Sequence, residues 1–468
     1  MGLKIKGAVP KSMKQPAQQP KSVLPANIKH ILFIILLLAL IRGIIYASVV
    51  PPWQAPDEPA QFERVKASLS ATEWNSTIAN DPAWYDDLTQ SLFDFGFWDF
   101  VDGPRQMIRP DSSIRDHISL YQDVYQGLYG SRGAYITMGW PLWLAPNQDI
   151  VHQLYLARLL TAIMNVGVIY LAFLTVRTLF PNDLFLLLGV PILILFNPQH
   201  THLMATINNG NLAELLSVAA LYFMVRTLVN GYSWPNLLAV IGFTLGAMYT
   251  KATAYFLPFA IGCIALFYLW RFRRFWYWLI PAGLALAGLL YFFAPRRLSD
   301  LLVMAWANVR YGENHLDPIV PIDLFRSYWA MPGWTILQIH PLWYRLLFIG
   351  CVLALLGLVI LLVQQWRLLF DARYTARVQA LVLLAVAIVV AISIPLVWNM
   401  ITNVIVYRQG RSIYPVTVAI SLFLMLGWRQ LIPKGYRSSG LLVLTSAFFL
   451  FDSLLLFHYI IPLFYSRF

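Results

Sequence analysis

The chain has 468 residues, 59% of them hydrophobic and 12% charged, with a mean hydropathy of +0.62 and a formal net charge of +12. A soluble protein of this length cannot cover so much apolar surface, so the composition predicts an all-α polytopic membrane protein. The basic balance is no nucleic-acid footprint, because it divides by loop, and Cys263 and Cys351 both lie in apolar segments, which speaks against a disulfide framework or thiolate metal site.

Residues 1–29 hold six lysines, four prolines and no acid, and read as a disordered basic cytoplasmic tail. The apolar run 31–50 matches the ~20 residues that cross a bilayer and reads as an uncleaved anchor. Further apolar segments fall at 154–177, 184–200, 211–229, 236–250, 253–270, 276–294, 344–364, 377–400, 412–428 and 440–462. About eleven transmembrane helices follow, making residues 30–468 a single membrane domain. With the N-terminus cytoplasmic, the inner loops hold Arg271, Arg273 and Arg274, then Arg367, Arg373 and Arg377, then Arg429, Lys434 and Arg437. That distribution obeys the positive-inside rule.

Two long outer loops remain, 51–153 and 296–343. The first contains 14 of the 22 acids against six basic residues. Its aromatic residues, among them Trp53, Trp140 and Trp143, suit helices lying in the interface. It opens on Pro56-Asp57-Glu58-Pro59, an acidic pair set where the chain leaves the membrane, and an amphipathic stretch from Gln61 to Leu69 follows. Pro and acids at these positions are also ordinary helix-start signals. The second loop carries Ser327-Tyr328-Trp329-Ala330-Met331-Pro332-Gly333-Trp334; outer loops of such length are usually functional.

Polar residues gather at span ends on the same outer side. Asn197 to His202 and Asn208-Asn209-Gly210-Asn211 lie between two spans, with Glu214 starting the second. Lys251 stands in Tyr249-Thr250-Lys251-Ala252-Thr253, and Arg408 and Arg411 in Arg408-Gln409-Gly410-Arg411-Ser412-Ile413-Tyr414-Pro415. His200 and His202, two apart, would diverge on a helix, so capping is preferred over metal binding. Lys251 reads either as an interfacial snorkel or as part of a site. Arg408 and Arg411 would share a helix face and fit an anion, with Gly410 allowing close approach, or else contact lipid headgroups. The cations thus share a face with Asp57 and Glu58. No Walker loop, Gly-rich dinucleotide turn, nucleophile elbow or zinc-protease motif occurs, which leaves ATP-driven transport, nucleotide-cofactor chemistry and zinc proteolysis unsupported.

Over roughly residues 31–430 these blocks resemble the C-type (GT-C) superfamily of membrane glycosyltransferases. In particular they are similar to a bacterial family whose first outer loop reads Pro-Asp-Glu-Pro-Ala-His-Phe, here Pro56 to Phe62. That family's Asn-Asn-Asp-Ala-like stretch, Lys-x-Thr pair, Phe-Trp-x-x-x-Gly-Trp-like loop and Gln-Gly-Arg-Tyr-x-x-Pro block have counterparts at Asn208 to Leu212, Lys251 to Thr253, Tyr328 to Trp334, and Gln409 to Pro415. Three positions depart from the pattern: Gln61 replaces a histidine, Gly210 or Asn211 an aspartate, and Ser412 a tyrosine.

The resemblance implies a GT-C-like fold in the cell membrane and inverting transfer of a sugar from a polyprenyl-phosphate donor to a glycan, lipid or protein acceptor outside the cytoplasm. Asp57 is then expected as general base, with Glu58 as alternative or partner, its pKa raised toward working pH by burial. Arg411, Arg408 and Lys251 are expected to hold the phosphate. Gln61, Asn209, Asn211, Gln409, Trp329 and Trp334 are the expected substrate contacts. A divalent metal is conceivable on the acidic pair, but no further ligand stands near it. Three other readings compete: a ligase or polymerase of the same fold using a pyrophosphate carrier, a non-enzymatic transporter of lipid-linked glycans, and an envelope scaffold, for which Asp57-Glu58 is only a helix start.

Overall fold

The computed structural model describes residues 26–70, 82–100, 131–145, 148–271, 310, 319–334, 337–367, 371, 374–402 and 409–465. Among them every regular element is helical. Helix α1 (Ala26–Val49) ends where Pro51-Pro52 removes the next amide donors, and it takes in Lys29 of the expected tail. The segment between the first two long apolar helices supplies α2 (Glu58–Ser70), α3 (Pro82–Asp94) and α4 (Arg132–Gly139).

Helix α5 (Ile150–Leu179) starts at Asp149, whose carboxylate accepts from the Val151 and His152 amides at 3.0 and 2.9 Å. Next come α6 (Leu184–Leu195) and α7 (Pro198–Met204), bent by 62° at the break between them. The bend has a sequence cause: Pro198 donates no amide hydrogen, while Asn197 caps the new helix through the His200 amide at 3.2 Å. Helices α8 (Asn209–Asn230) and α9 (Trp234–Thr250) form an antiparallel pair, and α10 (Leu257–Arg271) follows after the Lys251 turn. The remainder comprises α11 (Ile319–Trp329), α12 (Pro341–Gln365), α13 (Thr375–Thr402), the 3₁₀ segment Gly410–Val416 leading into α14 (Thr417–Leu431), and α15 (Arg437–Leu454).

Seven of these helices are long and apolar enough to span a membrane, or eight with the bent α6–α7 pair. The protein is therefore an all-α, multi-pass membrane protein. This count covers the described residues only, against about eleven expected for the whole chain. Segment 276–294 lies outside them, and segments 236–250 and 253–270 form helices below 18 residues, interrupted by the polar turn at Lys251.

Helix α5 packs on α1, α6 and α8, and α14 packs on α6 and α12. The α12–α14 crossing is close because it is glycine on glycine: a Cβ at Gly427 would stand 1.9 Å from the Ala354 carbonyl oxygen, and one at Gly357 2.0 Å from that of Gly427. Gly427→Val is expected to force the two helices apart and cost about 3 kcal/mol, read as a lower unfolding temperature in detergent; unchanged melting would show that the crossing tolerates separation. Helices α1 and α15, far apart in sequence, are joined by a buried ion pair. Arg42 of α1 pairs with Asp452 of α15, which also accepts from the Tyr46 hydroxyl at 2.8 Å. A charge pair buried among spans is held because either partner alone is costly there.

Candidate active site

The acidic pair separates at the first step. Pro56 and Asp57 close the turn after α1, and Asp57 takes the left-handed conformation (φ +63°), as Trp53 does at +72°. For residues other than glycine such backbone is strained and needs its surroundings to enforce it. The enforcement comes from the neighbour. Glu58 is fully buried and accepts from Arg158 Nε at 2.8 Å and Nη2 at 2.5 Å, from the Trp53 amide at 3.1 Å and from the Ile207 amide at 3.2 Å. Arg158, equally buried on α5, gives its other hydrogens to the carbonyls of Ala47, Val50 and Pro51 at 2.8, 2.6 and 3.0 Å. All five guanidinium donors are satisfied, and the end of α1 is clamped to the start of α2. Glu58 therefore faces into the protein.

Asp57 faces the other way, into an open cavity of about 780 Å³ lined also by Gln61, Arg64, Asn209, Lys251, Gln409 and Arg411. Arg411 Nη2 donates to Asp57 Oδ2 at 2.6 Å, while Asp57 Oδ1 has no partner among the described residues. The Asp57 side chain retains 43% of its exposure and Arg411 16%. Lys251 donates to Asn208 Oδ1 at 3.0 Å. Gln61 Oε1 accepts from the Tyr135 hydroxyl and the Asn209 amide, each at 3.1 Å, which ties α2, α4 and α8 together at the cavity wall. Arg64, one turn beyond Gln61, reaches the Tyr135 hydroxyl at 3.5 Å. At the rim, Tyr249 and Tyr255 are 62% and 50% exposed, and exposed Leu245 and Leu238 continue the line down α9. The cavity is polar within, and an exposed apolar strip on α9 leads away from it.

Three cations face one carboxylate. Burial alone would push the Asp57 carboxyl up, but Arg411, with Lys251 and Arg64, outweighs it and holds the group below the usual carboxylate range. The expected rise toward working pH is thus corrected for the free site: the neighbouring cations win. Burial pushes the Lys251 ammonium down to about 7, with Arg411 adding to the effect.

Of the residues expected from the sequence, Asp57, Gln61, Asn209, Lys251, Gln409 and Arg411 meet at this cavity. Four others are placed elsewhere. Asn211 caps the α7 end through the Leu203 and Thr206 carbonyls at 2.9 and 2.8 Å. Trp329 is buried and stacked on Phe448. Trp334 donates to the Trp53 carbonyl at 3.1 Å. Glu58 sits in its clamp. Arg408 lies outside the described residues. Gly410 does allow a close approach, but to protein: its Cβ would stand 2.3 Å from the Tyr328 nitrogen. Trp53, expected at the interface, is fully buried beside Phe62, whereas Trp143 is 61% exposed. His200 bonds to Glu214 at 2.7 Å, and His202 accepts from the Gly333 amide at 3.2 Å.

Arg64, Tyr135 and Arg158 escaped sequence reading. Arg64 had a usable signal, since it falls three residues after Gln61 on one helix face. Arg158 had none beyond being a charge within an apolar run. Asp57 is the only carboxylate lining the cavity among the described residues, and it faces cations, so the lining does not fit a divalent metal. Compared with protein-family models, with curated proteins and with solved structures, the chain finds no match in any of the three.

Proposed function

We propose that this protein is a membrane glycosyltransferase of the GT-C kind, acting on the outer face of the cell membrane with a polyprenyl-phosphate sugar as donor. One observation carries the reading: among the described residues, a lone carboxylate with an unpartnered oxygen stands in a cavity that holds an excess of cations and reaches tyrosines at the end of α9, a helix with an exposed apolar face. A lipid-linked phosphate fits that combination. Its headgroup would meet Arg411, Arg64 and Lys251, and its prenyl chain would lie along the exposed apolar face of α9.

In the reaction the acceptor hydroxyl oxygen attacks the anomeric carbon from the face opposite the phosphate. The bond from that carbon to the phosphate oxygen breaks, its electron pair staying on the phosphate, and the hydroxyl proton passes to Asp57 Oδ1. The cations stabilise the charge developing on the leaving phosphate. They also change the base. A phosphate that draws Arg411, Arg64 and Lys251 to itself weakens their pull on Asp57 and leaves burial as the main influence, which raises its proton affinity when a donor is bound.

The test is transfer by the purified protein in detergent, using radiolabelled polyprenyl-phosphate and polyprenyl-pyrophosphate sugars. Product from a monophosphate donor, lost in Asp57→Asn, is the expected result. A second reading, ligation from a pyrophosphate carrier, is favoured by the three basic side chains at the cavity, which with Lys251 protonated would exceed Asp57 by the two charges of a pyrophosphate diester. Product from pyrophosphate donors alone would establish it. No product from either, with folded protein, would remove the transferase reading.

A further inference from the structure

A protonated Lys251 brings three donors, yet its one hydrogen-bond acceptor among the described residues is Asn208 Oδ1, which the Gly210 amide already occupies at 2.7 Å. The charged groups facing it are few. Asp57 and Arg64 come from the α2 side and Arg411 from the 3₁₀ segment; Tyr249 and Tyr255 flank its own turn, and Tyr135 of α4 stands behind Arg64. Asp57 is already paired with Arg411, so a charged Lys251 has no carboxylate to itself. Nearby polar atoms are also left over. Asn208 Nδ2 and Asn209 Oδ1, on residues 3% and 9% exposed, and Gln409 Oε1 are buried without partners among the described residues. Buried amides of this kind normally have partners, and two of these residues, Asn209 and Gln409, belong to the cavity wall.

We propose, resting on the transferase reading, that Lys251 makes the cavity a proton-coupled phosphate site: its amine takes up a proton as a dianionic lipid phosphate settles against Lys251, Arg64 and Arg411, so the monoester product is held more tightly than the diester donor. The charge count agrees. A phosphodiester carries one negative charge and is neutralised, together with Asp57, by Arg64 and Arg411 alone. The monoester left after transfer carries two, and the third cation becomes useful only then. The proton is at hand, because Asp57 has just taken one from the acceptor; passing it to Lys251 restores the carboxylate and creates the ammonium with no change in total charge. Lys251, lowered to about 7, is poised for that exchange. Release of the lipid phosphate would then be the slow step, and the reaction that follows must be one that removes a prenyl phosphate monoester from the outer leaflet.

Isothermal titration of the full-length protein with farnesyl phosphate, and with its methyl diester, at pH 8 in two buffers of different ionisation heat tests this. At that pH a lysine titrating near 7 is about 90% neutral. Wild type is expected to take up close to one proton per monoester bound, to take up far less with the diester, and to bind the monoester at least ten-fold more tightly. Lys251→Arg, folded by its thermal melt, is expected to bind the monoester without proton uptake. Absent uptake in wild type, equal uptake in Lys251→Arg, or equal affinity for the two esters would each overturn the proposal. Transfer activity with any of these three leaves the glycosyltransferase reading standing, so the two failures are distinguishable.

Discussion

Asp57→Asn is expected to lower the rate of transfer by about 10³-fold, the usual contribution of a general base, while donor binding stays within a few-fold of wild type. Asparagine is the informative choice for three reasons. It is isosteric and can still accept from Arg411 at the 2.6 Å contact. It tolerates the left-handed backbone at φ +63°, where alanine would add about 1 kcal/mol of strain and confuse folding with chemistry. And it removes the negative charge among Arg411, Lys251 and Arg64, so a phosphate donor should be held as tightly as before or more so. The loss must therefore fall on kcat and not on KM. A variant that kept more than a tenth of the wild-type kcat would show that Asp57 only positions Arg411. The wild-type pH profile gives a second check. The free carboxyl is held low, so kcat/KM should show no acid limb from Asp57 in the ordinary carboxylate range; kcat, measured with the cations occupied by phosphate, should show one at higher pH.

The membrane class and the cavity's main polar residues could be read from the sequence, for different physical reasons. Apolar runs of bilayer length are a strong signal that needs no tertiary context, so α1, α5, α8, α12 and α14 lie where hydropathy puts them. The span count is less legible, because hydropathy separates the runs on either side of Lys251 but does not say that the helices they form, 17 and 15 residues long, stop short of bilayer length. Asp57, Lys251 and Arg411 stand out as charges at span ends sharing one side, and the fold brings all three together. Orientation was not legible. Nothing in Pro56-Asp57-Glu58-Pro59 says which carboxylate turns inward, since that depends on Arg158, 100 residues away on α5. Trp329 and Trp334 read as substrate contacts, yet their partners, Phe448 and the Trp53 carbonyl, come from distant segments that no local pattern points to.

Arg158→Met is expected to cost about 3–5 kcal/mol, as removing one partner of a buried ion pair does, and to show as a large loss of folded protein in detergent. Glu58→Gln should be milder, because the amide oxygen can still accept from Arg158. The double substitution Glu58→Leu with Arg158→Leu separates two ideas. For a simple buried pair, replacing both charges by apolar groups is often neutral or better. Here it should not rescue. The carbonyls of Ala47, Val50 and Pro51 and the amides of Trp53 and Ile207 would all lose their partners, and each unsatisfied buried group costs about 1–3 kcal/mol. The clamp is thus a backbone device as much as an ion pair, and its product is the strained turn that aims Asp57 at Arg411. Protein that survives as Arg158→Lys, which offers three donors where five are needed, should accordingly bind donor normally and lose kcat. A double-leucine variant as stable as wild type, with full kcat, would mean that the turn holds its shape without Arg158 and that the strain at Asp57 has another source.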